Sequence, residues 1–232
     1  MTHESFEYAA RYGENCAEFY DEIYGPPDPN MISTLGHLAK GGRALELGIG
    51  TGRVALQLAA RGIEICGIEA SPSMLGKLRE KPGGADLTIV QSNFADAEID
   101  GPFSLIFALA STFFLLSSPE EQQRCFQTVA GLLSEQGVFL IETYEPVGAT
   151  PVAENGNSAQ RSYLAEQFLQ TRNGPRHYRV EICYATCQAL DEMAARAGLR
   201  LRERWSNWQR RPYVCEGPMQ ISIYDRQQKN RS

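Results

Sequence analysis

The sequence predicts a doubly wound α/β fold with a mostly parallel sheet and an antiparallel last strand. Short apolar segments typical of strands alternate with segments whose apolar residues recur at helical spacing. This alternation indicates right-handed βαβ units, which pair their strands in parallel. A chain of 232 residues with 43% hydrophobic content is long enough and apolar enough for one domain with a full core.

Seven strand candidates support this prediction. Five lie in the first two thirds of the chain, at 43–48, 63–70, 87–92, 103–110 and 137–144. Helical patterns at 53–61, 72–80 and 120–133 separate them. A turn-rich connection at 145–160 and irregular or antiparallel segments follow, and a helix begins near Thr186 and ends at Gly198. The last two candidates, 199–208 and 219–226, form an antiparallel pair.

Composition limits the possible partners. The net charge of −6 gives no basic surface for nucleic acid, so we expect no nucleic-acid partner. The first residues show neither the basic nor the apolar segment of a secretory leader, so none is expected, and no apolar run is long enough to predict a spanning helix. Its six cysteines are scattered without a CxxC motif, which favours a reducing, cytoplasmic location. No acid and histidine cluster has metal-ligand spacing, so no metal site is predicted.

The chemistry-bearing motif follows the first strand. Glu46 precedes three glycines, Gly48, Gly50 and Gly52, in the pattern G-x-G-x-G rather than the G-x-G-x-x-G of dinucleotide sites. Glu69 ends the second strand, where an acid commonly binds ribose hydroxyls. An acid before the loop can bind the ammonium group of an amino-acid head. Together these residues favour S-adenosylmethionine (SAM) over a dinucleotide.

From these residues the chain resembles the class I SAM-dependent methyltransferases over nearly its whole length. The segments that carry the resemblance are ELGIGTG, GIEASPSML, NFADAEIDGPFSLIFALAS and LLSEQGVFLIE. The N-terminal RYGENCAEFYD is similar to the lid helix of N-methyltransferases acting on amino sugars or modified peptide N-termini. The resemblance implies a Rossmann-like methyltransferase fold and SAM as the cofactor.

The resemblance also implies an organisation of the chain. N-terminal lid helices are expected in 1–40 and the SAM-binding α/β core in 41–145. A substrate-covering insertion is expected in 146–185. A C-terminal helix and antiparallel strand pair, in 186–228, would complete the same sheet.

Cofactor contacts carry over from the family one residue at a time. The expected set is Tyr12, Tyr20, Glu46, Gly48, Gly50, Gly52, Glu69, Ala70, Met74, Asn93, Phe94, Leu109 and Ala110. Asn93 departs from the aspartate usual in the family, and its side-chain oxygen can still accept from an adenine amino group. Met74 also suits a core position, and Tyr12 and Tyr20 also suit one packed helical face because they lie two turns apart.

The methyl acceptor is less clearly specified. The candidate bases are Glu142 and His177, although a solvated acid and an exposed loop histidine are simpler interpretations. The candidate substrate contacts are Phe113, Tyr144, Trp208 and Tyr213, and Phe113 also suits the core. In one extended strand Trp205 and Trp208 would face opposite sides, so only one is expected in the core. Leu115 stands where related sugar N-methyltransferases can carry a histidine.

These observations predict transfer of a methyl group to an amine of a small molecule or peptide terminus, mainly by alignment. A hydroxyl acceptor with Glu142 or His177 as base is the alternative reaction, and a non-catalytic SAM-binding regulatory partner is the alternative of another class. The glycine spacing and the lack of Tyr-x-x-x-Lys disfavour a nicotinamide oxidoreductase. Methylation of RNA or protein lysines is disfavoured by the acidity. We expect a monomer or homodimer.

Overall fold

A computed structural model describes residues 3–146, 150–153, 160–214 and 217–227. The strands in this part are Ala44–Leu47 (β1), Ile65–Glu69 (β2), Thr88–Gln91 (β3), Phe103–Ala108 (β4), Leu133–Tyr144 (β5), Thr150–Ala153 (β6), Gln160–Thr171 (β7), Gly174–Ala185 (β8), Leu199–Trp205 (β9) and Met219–Arg226 (β10). The helices are His3–Cys16 (α1), Tyr20–Tyr24 (α2), Pro29–Ala39 (α3), Ala55–Ala59 (α4), Pro72–Arg79 (α5), Pro119–Leu132 (α6) and Cys187–Arg196 (α7). The predicted connection at 145–160 and the end of the last predicted segment lie partly outside the described residues.

The main sheet has the strand order β3-β2-β1-β4-β5-β10-β9. β1 pairs in parallel with β2 and β4, β2 with β3, and β4 with β5. β10 runs antiparallel to both β5 and β9. The predicted fold class, with its antiparallel last strand, is confirmed.

Helices cover both faces of this sheet. On one face, α3 and α4 bury Ile32, Leu35 and Leu58 against β1 and β4. On the other face, α6 and α7 bury Phe126 and Leu190. Because both faces are covered, β1 and β2 are buried along their whole length, as parallel strands require.

Local sequence signals fix where several helices begin. Asp28, Ser71 and Ser118 each precede a proline and accept a hydrogen bond from a backbone N–H of the following turn. Thr186 does the same for α7 without a proline. A side-chain oxygen at the N-cap satisfies a donor that the helix itself cannot, and proline suits the first helical position.

One strand ends earlier than predicted. β9 stops at Trp205 because the Asn207 side chain accepts hydrogen bonds from the backbone N–H groups of Gln209 (3.0 Å) and Arg211 (3.2 Å) and forms a turn. The expectation that only one of Trp205 and Trp208 is in the core is therefore wrong. The turn brings both indoles into the same buried cluster.

A smaller antiparallel sheet, β6-β7-β8, and the helices α1 and α2 cover the carboxyl edge of the main sheet. The hydroxyl of Tyr8 in α1 donates to the Glu181 carbonyl in β8 at 3.1 Å. Glu14 of α1 accepts from Ser71 and Ser73 at the start of α5. These contacts enclose the edge at which ligands of open α/β sheets bind.

The core makes a testable prediction. Phe126 is fully buried and packs edge-on against Phe113, Phe139 and Tyr224. We expect Phe126→Ala to lower the free energy of unfolding by about 3–5 kcal/mol, because it leaves a cavity among rings that cannot collapse. Urea unfolding measures this change.

Phe168→Ala is the matched control. The Phe168 ring is 73% exposed and stacks on His177. Its removal should cost about 1 kcal/mol or less. Equal losses for the two variants would contradict the assigned core.

Candidate functional site

The glycine loop turns sharply after β1. The backbone N–H groups of Gly48 (2.8 Å) and Ile49 (3.0 Å) both donate to the Ile68 carbonyl in β2. Gly48 and Gly50 have positive φ values, 72° and 54°, which glycine adopts without a steric penalty. A Cβ atom on Gly50 would lie 3.9 Å from the Met74 sulfur and 4.0 Å from the Gly48 carbonyl oxygen, which are ordinary van der Waals distances, and Gly50 lines a cleft. The loop therefore leaves room for a ligand beside Gly50.

Gly52 has a different surrounding. A Cβ atom there would lie 3.0 Å from the Leu78 side chain and 3.3 Å from that of Leu56. Residue 52 is therefore restricted to glycine by the close packing of the loop against α5 and by its φ of 74°.

Glu69 ties the loop to the next helix. Its carboxylate accepts from the Gly50 N–H and from the Ser71 N–H, each at 2.9 Å. Burial raises the pKa of Glu69, and the hydrogen bonds from Ser71 and Gly50 act in the opposite direction. The side chain borders the open space next to Gly50 and Ala70.

Glu46 is a buried acid, and one of its carboxylate oxygens accepts no hydrogen bond from the described residues. Burial raises the pKa of Glu46 to about 8, while the charge of nearby Arg53 acts to lower it. Among the described residues, no group donates to its Oε2 atom. A buried carboxylate oxygen without a donor is costly, and a cationic ligand would satisfy it.

Tyrosine rings from several elements meet above the loop. Tyr12 lies edge-on to Tyr20, with ring centroids 6.4 Å apart, and to Tyr178 of β8, at 6.1 Å. The Tyr12 and Tyr24 hydroxyls are 3.0 Å apart. Burial raises the pKa of Tyr12 well above 10, so its phenol stays neutral. Tyr12 and Tyr20, the two predicted lid tyrosines, line the same cavity as Gly48 and Gly50.

Two cavities meet at these tyrosines. The glycine cleft, of about 40 Å³, is lined by Tyr12, Gly13, Tyr20, Gly48, Gly50, Glu69, Ala70, Met74, Phe94, Thr112, Leu115 and Leu116. The outer cavity, of about 610 Å³, lies between the main sheet, α2 and β8. Four residues line both cavities, and we call them the shared wall: Tyr12, Tyr20, Thr112 and Leu115.

The outer cavity is acidic and aromatic. Its acids are Asp28, Glu142, Glu145 and Glu166, and Arg53 is the one basic side chain among the described lining residues. Its rings are Tyr12, Tyr20, Tyr24, Tyr144 and Tyr178. Such a wall favours a cation through charge and through cation–π attraction.

Glu142 lies at the wall of the outer cavity, as the sequence predicts for the end of the fifth strand. Its Oε2 accepts from the Ala110 N–H at 2.8 Å. Its Oε1 accepts from Trp208 Nε1 at 2.8 Å and from the Tyr144 hydroxyl at 3.3 Å. Burial raises the pKa of Glu142 and the hydrogen bond from Ala110 opposes it. Both carboxylate oxygens are therefore engaged.

Several other candidates lie away from the cavities. His177 is exposed and stacks on Phe168, and neither side chain borders the glycine cleft or the outer cavity. Phe113 is fully buried in the core beside α6, and Trp208 is buried against Glu142. The Tyr213 N–H donates to the Arg204 carbonyl at 3.1 Å, outside the residues that line the two cavities.

One predicted adenine contact, Asn93, and the two predicted pocket residues, Leu109 and Ala110, do not line the glycine cleft in the described structure. The Asn93 side-chain oxygen accepts from the Ala95 N–H at 3.0 Å, whereas its neighbour Phe94 lines the glycine cleft. Leu109 is buried in the core, and Ala110 lines the outer cavity. The roles of these residues toward a cofactor stay predictions.

Sequence reasoning missed residues that complete the two cavities. These are Arg53, Thr112, Tyr24, Tyr178 and Leu115. For Leu115 the sequence analysis says only that related sugar N-methyltransferases can carry a histidine at that position. Arg53 directly follows the glycine motif, and this position in the sequence could have identified it as a residue of the site. Tyr178 shows no such signal, because its place depends on the pairing of β8 over the main sheet.

Comparison with known proteins places this site in context. The methyltransferase domain family matches residues 44–137. An uncharacterized methyltransferase of Staphylococcus carnosus is 32% identical over 135 residues, which are 58% of this chain and 61% of that protein. The chain spans between 58% and 66% of the length of the curated relatives it matches.

Two solved structures are similar over more of the chain. The CcbJ methyltransferase from Streptomyces caelestis is 31% identical, with 95% of this chain and 99% of CcbJ covered and a TM-score of 0.80. SAM-bound CalS10, an amino pentose methyltransferase from Micromonospora echinaspora, is 17% identical, with 90% and 96% covered and a TM-score of 0.66. At that identity CalS10 shares the fold alone.

The described residues include neither a membrane-spanning helix nor a metal-binding cluster. They contain no helix that is both long and apolar enough to cross a bilayer. They also contain no group of three or more histidine, cysteine or acidic side chains arranged to hold a metal ion.

The open space beside Gly50 yields a test of the loop. Gly50→Val should abolish binding of S-adenosylhomocysteine, because the branched side chain enters the glycine cleft and the backbone is left-handed there. Isothermal titration calorimetry measures the affinity. Gly62→Val is the control: Gly62 also has a positive φ, of 80°, with no atom within 4 Å of its Cβ position. Unchanged affinity in Gly50→Val would contradict the assigned cleft.

The unpartnered acid yields a second test. At about pH 7 a carboxyl whose pKa is about 8 is mostly protonated, so it must lose its proton to bind an ammonium group. Binding of S-adenosylhomocysteine should therefore release protons and strengthen as the pH rises toward 8. Glu46→Gln should remove both effects. Calorimetry in two buffers of different ionisation enthalpy counts the protons, and equal release by both proteins would refute the assignment.

Proposed function

The chain belongs to the SAM-dependent methyltransferases, and on that premise we propose that it methylates an amino nitrogen of a cationic small molecule or peptide terminus. The observation that carries this proposal is the shared wall. Tyr12, Tyr20, Thr112 and Leu115 separate the glycine cleft from an acidic outer cavity, and no histidine or carboxylate stands among them.

The residues around the glycine cleft fit SAM. Glu46 does not itself line the cleft, but its buried Oε2 accepts no hydrogen bond from the described residues, and the ammonium of an amino-acid head would supply a donor through a bridging water. A side chain at Gly50 would occupy the open space, so the backbone there is free to approach a ligand. Glu69, Ala70, Met74 and Phe94 line the remainder of the cleft, next to the predicted ribose and adenine positions. Bound SAM supplies a methyl group on a sulfonium, which is already activated toward nucleophiles.

The outer cavity fits an amine better than a hydroxyl. Asp28, Glu142 and Glu145 outnumber the one guanidinium of the described lining and favour a cation. The fourth acid, Glu166, already pairs with Arg179 at 2.7 Å. A volume of about 610 Å³ suits a molecule of drug size. A neutral amine needs alignment rather than a base, whereas a hydroxyl gains from proton removal. Only the unprotonated amine has a lone pair to attack the methyl group, so an acceptor that enters as a cation first gives its proton to solvent. The apolar groups and neutral phenols of the shared wall then orient the neutral amine and exclude water.

The solved relatives support the same reading. CalS10 is by its name an amino pentose methyltransferase, and this chain has its fold. A glycopeptide N-methyltransferase, MtfA, shares the fold as well, at a TM-score of 0.65. By their names, CalS10 acts on an amino pentose and MtfA on a nitrogen of a glycopeptide, and an amine acceptor for this chain agrees with both.

A hydroxyl acceptor with Glu142 as base is the second candidate. Glu142 lines the outer cavity and burial raises its pKa, both of which suit a general base. Its two oxygens already accept three hydrogen bonds, which leaves the amine proposal better supported. His177 is less suited, because it faces Phe168 on the outer side of the hairpin.

A paired acceptor panel distinguishes the two reactions. Each member is an amine and its hydroxyl counterpart on the same skeleton, for example an amino sugar and the parent sugar, assayed with methyl-labelled SAM. We expect label in the amine member, at a rate that rises with the fraction of unprotonated amine. Label in the hydroxyl member alone, lost in Glu142→Gln, would overturn the proposal in favour of the second candidate.

A further inference from the structure

Two consecutive residues of the loop before the shared wall have an unusual backbone. Ala110 and Ser111 have φ values of 51° and 61°, in the left-handed region that side chains with a Cβ atom disfavour. Outside glycine this conformation persists only where surrounding groups hold it. Some interaction must therefore keep these two residues in place.

The end of β5 supplies that interaction. The Glu142 carboxylate accepts from the Ala110 N–H at 2.8 Å, and the Glu142 carbonyl accepts from the Ser111 N–H at 3.1 Å. The Tyr144 N–H donates to the Ser111 hydroxyl at 2.9 Å. Each left-handed residue is thus bound to β5 by its own hydrogen bond, and Ser111 by two.

The carboxylate is itself held in place. Trp208 Nε1 donates to its second oxygen at 2.8 Å, and the Glu142 side chain is only 2% exposed. Trp208 is buried in the core next to β10, so the anchor is a rigid part of the fold. A carboxylate whose two oxygens both accept hydrogen bonds is better suited to fixing the conformation of the loop than to taking a proton from an acceptor.

The held loop leads directly into the shared wall. Thr112 and Leu115 follow Ser111 in a 3₁₀ turn, and both border the glycine cleft and the outer cavity. The Thr112 methyl group occupies the space that a Cβ atom on Gly48 would need, so Thr112 packs against the loop only because residue 48 is a glycine. A shift at Ala110 would move the wall against which acceptor and cofactor must align.

We propose that Glu142 is a positioning residue: its carboxylate holds Ala110 and Ser111 in the left-handed conformation that places Thr112 and Leu115 between the two cavities. The proposal rests on the proposed function, since only that function makes the shared wall the point of methyl transfer. It differs from a role for Glu142 as base, in which the carboxylate would act on the acceptor.

The test compares Glu142→Gln with Glu142→Gln/Ala110→Gly. Glutamine keeps the size but turns an amide NH₂ toward either the Ala110 or the Trp208 donor. Hydrogen exchange of the 109–116 peptide should rise in the single variant, and kcat with an amine from the panel should fall by up to about 100-fold. Glycine adopts positive φ without a Cβ penalty, so the double variant should regain about tenfold of that loss.

Three results would overturn the positioning role. They are unchanged exchange of the 109–116 peptide in Glu142→Gln, no gain in kcat from Ala110→Gly, or a pH–rate profile whose shape changes in Glu142→Gln. Arg53 and Tyr144, the titratable neighbours of the carboxylate, are the same in both variants. Loss of a base changes the profile, whereas misplacement of the wall lowers the rate at every pH.

Ser111→Ala is the second variant, for the case that Glu142→Gln does not fold. It removes only the acceptor of the Tyr144 N–H, so it is accompanied by a separate variant, Trp208→Phe, which removes the indole donor that fixes the Glu142 carboxylate and keeps an aromatic ring in the core. Raised exchange in the 109–116 peptide of Trp208→Phe supports positioning by the carboxylate, and unchanged exchange there opposes it. Exchange requires no acceptor and no cofactor. A wild-type protein that methylates no amine in the panel would thus refute the proposed function, while the exchange data would still decide the role of Glu142.

Discussion

The carboxylate of Glu69 connects the parts of the molecule that enclose the glycine cleft. It accepts from Gly50 in the glycine loop and from Ser71 at the start of α5. The Ser71 hydroxyl in turn caps α5 by accepting from the Met74 N–H and donates to Glu14 of α1 at 2.6 Å. One buried acid at the end of β2 thereby fixes the relative positions of loop, helix and lid.

A second connection lies on the other side of the loop. The Thr51 hydroxyl donates to Asp21 of α2 at 2.6 Å, and Lys81 pairs with Asp21 and donates to the Thr51 carbonyl. Glu14 thus holds α1 against the start of α5, and Asp21 holds α2 against the glycine loop. Tyr12 and Tyr20, which line the glycine cleft, belong to these two helices.

The far wall of the site depends on the antiparallel part of the sheet. β10 pairs with β5 up to Tyr144 and leaves Trp208 packed beneath the end of β5. From there Glu142 reaches the loop after β4. The same pairing that completes the sheet therefore also holds one wall of the outer cavity.

Much of the fold follows from local sequence. Strands buried on both faces, helix caps of serine or aspartate before proline, and glycines that tolerate positive φ all act within a few residues, so the parallel sheet, the glycine loop and the acids at Glu46 and Glu69 could be predicted. Tyr12 and Tyr20 are predicted from the resemblance alone; both line the cleft beside the glycine loop, and their contacts to a cofactor stay a prediction.

Other features depend on the tertiary structure, because they are set by which distant segments pair. The face on which His177 lies follows from the register of β7 and β8, and the burial of Phe113 follows from the packing of α6. Neither can be derived from residues nearby in sequence. The sequence by itself determined the fold and the family's cofactor motif. Only the tertiary structure decided that Thr112 and Leu115 stand between the two cavities and that Glu142 holds the loop before them, since those relations join β4, β5 and the turn after β9 in space.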